Sequence, residues 1–189
     1  MIADLYDFDK TVFRGESGSE FWFFCLKKHP SIIRYLPKQF AGFFGHYVFH
    51  NISKKKSKEL FYSYLRSIDA EKEAELFWQK NSKKINNWFD PKSHDVATII
   101  CSASPFFQIR PICEKLGVNL LIATEMDPKT GKISGENCKG EEKVHRIKLA
   151  APEFKIRDSY TDNLVSDKPL LDMATRDKYH VKKGVASKI

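Results

Sequence analysis

The sequence predicts an α/β fold: a mainly parallel sheet with a helical insertion placed after its first strand. Three observations carry this reading. An apolar run at the N-terminus ends in paired aspartates, a long aromatic stretch follows at helical spacing, and short strands alternate with helices beyond Pro91.

The 189 residues suit one domain, or a core domain with a modest insertion. Apolar content of 42% with 30% charged residues is that of an ordinary globular chain, so no disorder need be invoked. The first strand begins almost at once, which leaves no room for a signal peptide. The longest stretch without a formal charge, residues 39–53, is too short to span a bilayer. The expected location is cytoplasmic. Cys25, Cys101, Cys113 and Cys138 show no CxxC pairing or zinc spacing and read as reduced, mostly buried thiols. Cys25 and His29 lie one helical turn apart, a pairing that more often packs than binds metal.

Taken in order, residues 2–6 read as a buried strand, and its period of two aims Asp7 and Asp9 the same way at the strand's C-terminal end. From residue 16 to about 88 the chain reads as helical and aromatic. Phe21 to Phe24, then Phe40, Phe43, Phe44, Tyr47 and Phe49, then Leu60, Phe61, Tyr64 and Leu65 recur along it. Residues 96–101 form the next strand. Ser104 then offers an N-cap and Pro105 a first helical position, for a helix running to Leu116 and stopping at Gly117. Residues 118–123 are a strand, and residues 127–131 a turn leading into a short hairpin. A helix over 141–150, a strand near 154–160, a helix over 167–174 and a strand over 179–181 complete the order.

The chemistry begins with Asp7-Phe8-Asp9-Lys10-Thr11. Two like charges in one crevice are costly unless a cation neutralises them or one holds a proton. A carboxylate can also attack phosphorus while its neighbour serves as acid and then base. Ser102 ends the second core strand at the same edge, where a hydroxyl beside a helix N-terminus suits a phosphate. Lys143 sits in the first turn of a helix, where a cation opposes the helix dipole by about 0.3–1 kcal/mol. Asp162 again falls just past a strand, and with Asp7 and Asp9 it forms an oxygen-rich set suited to Mg²⁺.

In this order, DxDxT, a strand-ending serine, a lysine and a late acidic pair resemble the four motifs of the haloacid dehalogenase superfamily. Cys101-Ser102-Ala103-Ser104-Pro105, Gly131-Lys132-Ile133-Ser134-Gly135 and Gly140-Glu141-Glu142-Lys143-Val144 look like its phosphoserine-phosphatase-like branch. The resemblance implies a Rossmann-like three-layer sandwich over residues 1–13 and 89–189, with a helical cap over 14–88. It implies that Asp7 is the nucleophile, that Asp9 is the acid and base, and that Ser102 and Lys143 bind the phosphoryl oxygens. Asp7, the backbone carbonyl of Asp9 and Asp162 would hold Mg²⁺. Thr11 would support the nucleophile loop and count with Glu16, Ser102 and Lys143 among the substrate-binding residues. Asp162 and Asp167 are one residue further apart than this branch leads one to expect, which leaves open which of Asp162, Asn163 and Asp167 touches the metal shell. Ser102-Ala103-Ser104-Pro105 stands where phosphoserine phosphatases carry Ser-Gly-Gly-Phe.

The leading reading is a Mg²⁺-dependent hydrolase of a phosphorylated small molecule. A net charge of +8 fits an anionic partner. The alternative is a phosphatidylglycerophosphatase-like lipid phosphatase at an anionic membrane surface, served by the aromatic insertion and Lys54-Lys55-Lys56. The aromatics are expected instead to be the insertion's own core, and the lysines its solvated face. A nucleic-acid-binding module without catalysis is the reading from another class, but no such motif is found and no nucleic-acid partner is expected.

Overall fold

The computed structural model of the chain describes residues 1–93 and 95–189. Its centre is a six-stranded sheet: β1 Ile2–Tyr6, β2 Ala97–Pro105, β3 Leu120–Thr124, β4 Lys155–Thr161, β5 Asp177–Lys182 and β6 Val185–Lys188. The spatial order is β3-β2-β1-β4-β5-β6, parallel throughout except for the antiparallel β5–β6 pair. The first strand is thus central and is covered on both faces. Ala3 and Leu5 pack with Ile147 of α6 (Glu141–Ala150) and Leu170 of α7 (Lys168–Leu171). Tyr6 and the following Phe8 pack on the other face, with Ile109 and Ile112 of α5 (Phe106–Leu116) and with the helical insertion. Alternate residues of one strand therefore hold the three layers together.

The insertion joins β1 to β2 through α1 Ser17–Lys28, α2 Leu36–Tyr47, α3 Lys54–Phe61 and α4 Ala70–Asn81, with 3-10 turns between them. Phe21, Tyr62, Tyr64, Phe77 and Trp78 are buried as expected. The Trp78 indole donates to Gln108 O at 2.6 Å, which ties α4 to α5.

Helix α2 departs from the expectation that these aromatics form a core. It buries Gln39, Gly42 and Gly45 and turns Phe40, Phe43, Phe44 and Tyr47 outward. The cause is close packing on the α3 side. A Cβ on Gly42 would lie 2.9 Å from Leu60 Cβ, and one on Gly45 would lie 2.3 Å from the Ile52 side chain. The smallest side chains therefore take the inner face and leave the rings outside.

Four smaller departures have local causes. Helix α5 starts one residue later than expected because Ser104 directs its hydroxyl elsewhere, leaving Pro105 at the N-cap without a side-chain hydrogen bond. Helix α7 spans only four residues, because past Leu171 the chain tightens into turns whose bonds run three residues back, from Met173 N to Leu170 O and from Ala174 N to Leu171 O. The hairpin after residues 127–131 reduces to one bridge, Met126 to Ile133, and Gly131 takes φ +73° where a Cβ would meet Tyr62 O at 2.5 Å. Strand β6 was not anticipated. Lys183 and Gly184 both have positive φ, the requirement of a two-residue primed hairpin turn.

Tyr6, Tyr160 and Tyr179 stack across β1, β4 and β5 with ring centroids 4.5 and 4.4 Å apart. Trp88 closes on Tyr160 at 5.8 Å, and its indole donates to Gly184 O. All four cysteines are buried and free, and the His29 imidazole bonds Glu73 at 3.0 Å rather than the Cys25 thiol. No helix among the described residues is long and apolar enough to cross a membrane.

Candidate active site

Register brings the site together. Tyr6 of β1 lies level with Ile100 of β2 and with Tyr160 of β4. Asp7, Ser102 and Asp162 therefore emerge within two residues of one level, at the carboxyl ends of parallel strands where open α/β sheets form their crevice. A cleft of about 160 Å³ there is lined by Asp7, Asp9, Ser102, Lys143, Asp162 and Asp167 among others.

Asp7 is buried and accepts from Lys143 Nζ at 2.6 Å, and the same ammonium lies 3.0 Å from Asp167 Oδ1. Burial pushes the Asp7 carboxyl above the ordinary carboxylate range, and the Lys143 charge pulls against it. Burial alone would lower the Lys143 ammonium, but Asp7 and Asp167 outweigh it and hold the group above the usual lysine range. Lys143 is thus a fixed cation at the nucleophile's side.

Asp9 is oriented by two serines absent from the sequence-based set. Ser17 N–H, at the start of α1, donates to Oδ1 at 2.6 Å, and Ser104 Oγ donates to Oδ2 at 2.5 Å. The two hydroxyls also touch each other at 2.9 Å. Loss of water around Asp9 pushes its pKa up to about 6, against the pull of those hydrogen bonds. A carboxyl in that range can hold a proton and release it near neutral pH.

The acidic side of the cleft holds one carboxylate more than expected. One oxygen from each of Asp7, Asp162 and Asp167 lies within 4.8 Å of the others. Burial and the neighbouring Asp7 push Asp162 up to about 6, and among the described residues no donor bonds its carboxylate. Asp167 instead accepts from Thr161 Oγ1 at 2.8 Å. Asn163 lines the cleft, but its side-chain oxygen accepts from Ser166 N and so serves the turn. Ser102 is buried and accepts from Ser104 N–H at 3.0 Å, leaving its own proton to donate into the cleft.

Two expected substrate residues differ from each other. Glu16 lines the cleft and pairs with Lys10. Thr11 is fully buried away from the cleft, and its backbone carbonyl accepts from Asn86 Nδ2 at 2.6 Å. The expectation that Thr11 binds substrate is corrected to a position inside the loop that carries Asp7 and Asp9.

A family model described as haloacid dehalogenase-like hydrolase matches residues 5–172. Protein CicA of Caulobacter vibrioides is 28% identical over 103 residues, which is 51% of this chain and 46% of that protein. The match thus spans about half the length of the curated relatives. Among solved structures, a protein with unknown function from Bordetella pertussis Tohama I superposes with a TM-score of 0.73 at 22% identity, covering 93% of this chain and 87% of that one. A phosphoserine phosphohydrolase-like protein from Francisella tularensis gives 0.60 at 14% identity, with 94% and 86% covered. Phosphoserine phosphatase in its apo form gives 0.53 at 19%, with 94% and 84% covered. These likenesses show a shared fold.

Proposed function

The chain belongs to the haloacid dehalogenase-like hydrolases, and from that premise we propose that it is a Mg²⁺-dependent phosphatase that hydrolyses a phosphomonoester through an aspartyl-phosphate on Asp7. The observation that carries this reading is the pairing of two differently held carboxylates: Asp7 locked to Lys143 at 2.6 Å, and Asp9 poised with a pKa of about 6.

Asp7 attacks phosphorus, and the bond from phosphorus to the alcohol oxygen breaks as Asp9 delivers its proton to that oxygen. Asp9, now ionised, takes a proton from water as its oxygen attacks the aspartyl-phosphate. Inorganic phosphate leaves and Asp7 is restored. Lys143 and the Ser102 hydroxyl bind the phosphoryl oxygens and counter their charge, which is most of what phosphoryl transfer requires. Glu16, at the cleft's rim, contacts the rest of the substrate.

The all-oxygen donor set fits Mg²⁺. Asp7 and Asp162, with the Asp9 carbonyl and with Asp167 nearby, would hold the ion, and it would supply charge neutralisation. We read residues 1–13 and 89–189 as the core domain, and residues 14–88 as a cap that selects the substrate. Four free buried thiols fit a reducing, cytoplasmic setting. The test is turnover of an aryl phosphate by purified protein, lost on chelation and restored by Mg²⁺. Turnover by an Asp7→Asn variant above a few per cent of the wild-type rate would refute the covalent route.

A further inference from the structure

Among the described residues the apolar stripe of α2 stays largely uncovered. Phe40, Phe43, Phe44 and Tyr47 recur at helical spacing, and together with Phe23 of α1 they remain between 46% and 57% exposed. Rings this exposed and this contiguous form a surface that calls for an occupant. Trp22, Phe23, Phe40, Phe43 and Phe44 also wall an apolar cleft of about 360 Å³. Its inner residues Gln39, Phe43 and Phe61 wall a second cleft, of about 350 Å³, which reaches Glu16 and Lys58. Glu16 in turn lines the cleft of Asp7. The three clefts therefore adjoin in sequence, the outer one sharing Gln39, Phe43 and Phe61 with the middle one and the middle one sharing Glu16 with the catalytic cleft.

Charge decides which occupant fits. Residues 21–58 contain eight lysines and arginines and not one aspartate or glutamate. Lys58 turns inward and Lys28 and Lys56 pair with Glu73 and Glu59, while Lys27, Arg34, Lys38 and Lys54 are exposed and form no ion pair among the described residues. A second copy of this chain meeting the same face would set cations against cations, which an isologous contact cannot avoid. Aromatic rings beside cations, with no carboxylate between, match the interfacial zone of an anionic bilayer.

We propose that the face formed by α1, α2 and the segment after α2 docks on an anionic lipid bilayer, and that the substrate is a lipid phosphomonoester whose chain occupies the aromatic cleft. The second half of this rests on the phosphatase reading; the docking does not.

The experiment uses the full chain with vesicles of phosphatidylcholine alone and of phosphatidylcholine mixed with phosphatidylserine, at physiological salt. The protein should sediment with the mixed vesicles and not with the neutral ones. Phe49→Ser should weaken binding on the order of tenfold, and Lys38→Gln and Lys56→Gln roughly fivefold each. All three should keep aryl-phosphate turnover, which reports that they fold. Asp7→Asn should bind vesicles like the wild type. Failure of the wild type to bind mixed vesicles, equal binding to both kinds, or a dimer in solution that Phe44→Ser dissociates would each overturn the docking. Phosphatidic acid in the vesicles is the substrate probe: aryl-phosphate turnover without release of phosphate from phosphatidic acid overturns the lipid assignment while the phosphatase reading stands. Vesicle binding without aryl-phosphate turnover supports the docking and removes the phosphatase reading.

Discussion

Ser104 donates its hydroxyl proton to Asp9 Oδ2 across 2.5 Å, although 95 residues separate them. The bond favours the ionised form of Asp9, whereas burial favours the protonated one, and the balance leaves the group at about 6. Ser104→Ala should therefore raise the Asp9 pKa, and the limb of the pH–rate profile that Asp9 governs should move to higher pH. An unmoved profile for aryl-phosphate turnover would mean that Asp9 is not the proton shuttle. Asp9→Asn should lower kcat by about 10²–10⁴-fold.

Asp7→Asn should lower turnover by on the order of 10⁴-fold or more, the scale of losing a covalent catalytic unit. The amide keeps the shape of the carboxylate and can still meet Lys143, so circular dichroism should report an unchanged fold. A variant that retains a few per cent of activity would point to direct attack by water.

Asp162→Ala should raise the Mg²⁺ concentration for half-maximal activity far more than Asp167→Ala does. Among the described residues no donor bonds the Asp162 carboxylate, which is free to coordinate, while Asp167 is occupied by Thr161 and Lys143. Titration of each variant with Mg²⁺ checks this, and the reverse ranking would move the metal ligand to Asp167.

The chemistry was legible where it depends on local placement. Asp7 and Asp162 each follow a strand, Ser102 lies in the C-terminal half of one, and Lys143 opens a helix, so strand polarity brings them to one edge. The partners of Asp9 were not legible. Ser17 and Ser104 meet only because the insertion packs onto the C-terminal end of β2, an 87-residue separation that no local pattern encodes. The role of Asp167 was hidden for the same reason. Helix α2 is the most instructive miss, since periodicity reveals that a stripe exists but not which way it faces. Glycines on the opposite side were the available signal, because Gly42 and Gly45 mark where Leu60 of α3 and Ile52 of the segment before it come close.

Gly42→Ala tests that packing. The added methyl would lie 2.9 Å from Leu60 Cβ and 3.2 Å from the Ser57 carbonyl. Alanine is the better helix former by about 1 kcal/mol, but overpacking typically costs about 1–3 kcal/mol. Chemical denaturation should show a net loss of stability, and a gain would mean that α2 and α3 are less closely apposed than described.

Lys58 carries a stability signature in pH. Burial lowers its ammonium to about 7, where its donors reach Ala103 O and, at 2.8 Å, Asn137 Oδ1. An unfolded lysine titrates near about 10.4. Between those values the unfolded chain holds a proton that the folded chain has released, so this contribution to stability grows as pH rises through the window and is lost as pH falls to 7. Urea midpoints at pH 7 and pH 9 should rise less in Lys58→Met than in the wild type.

The stacked tyrosines of β1, β4 and β5 give this protein an optical reporter that needs no label. Tyr6, Tyr160 and Tyr179 lie within 4.5 Å of their neighbours, and Trp88 abuts Tyr160 while its indole is bonded to the turn that starts β6. Chromophores held this closely in a chiral frame couple their transitions, so near-ultraviolet circular dichroism should carry a strong band that reads the alignment of three adjacent strands. Because that signal requires fixed side-chain packing, it should vanish when packing loosens even where helix and strand content persist. Titrating the band against substrate mimics would then follow the core sheet alone, with the insertion's own rings serving as a separate fluorescence channel.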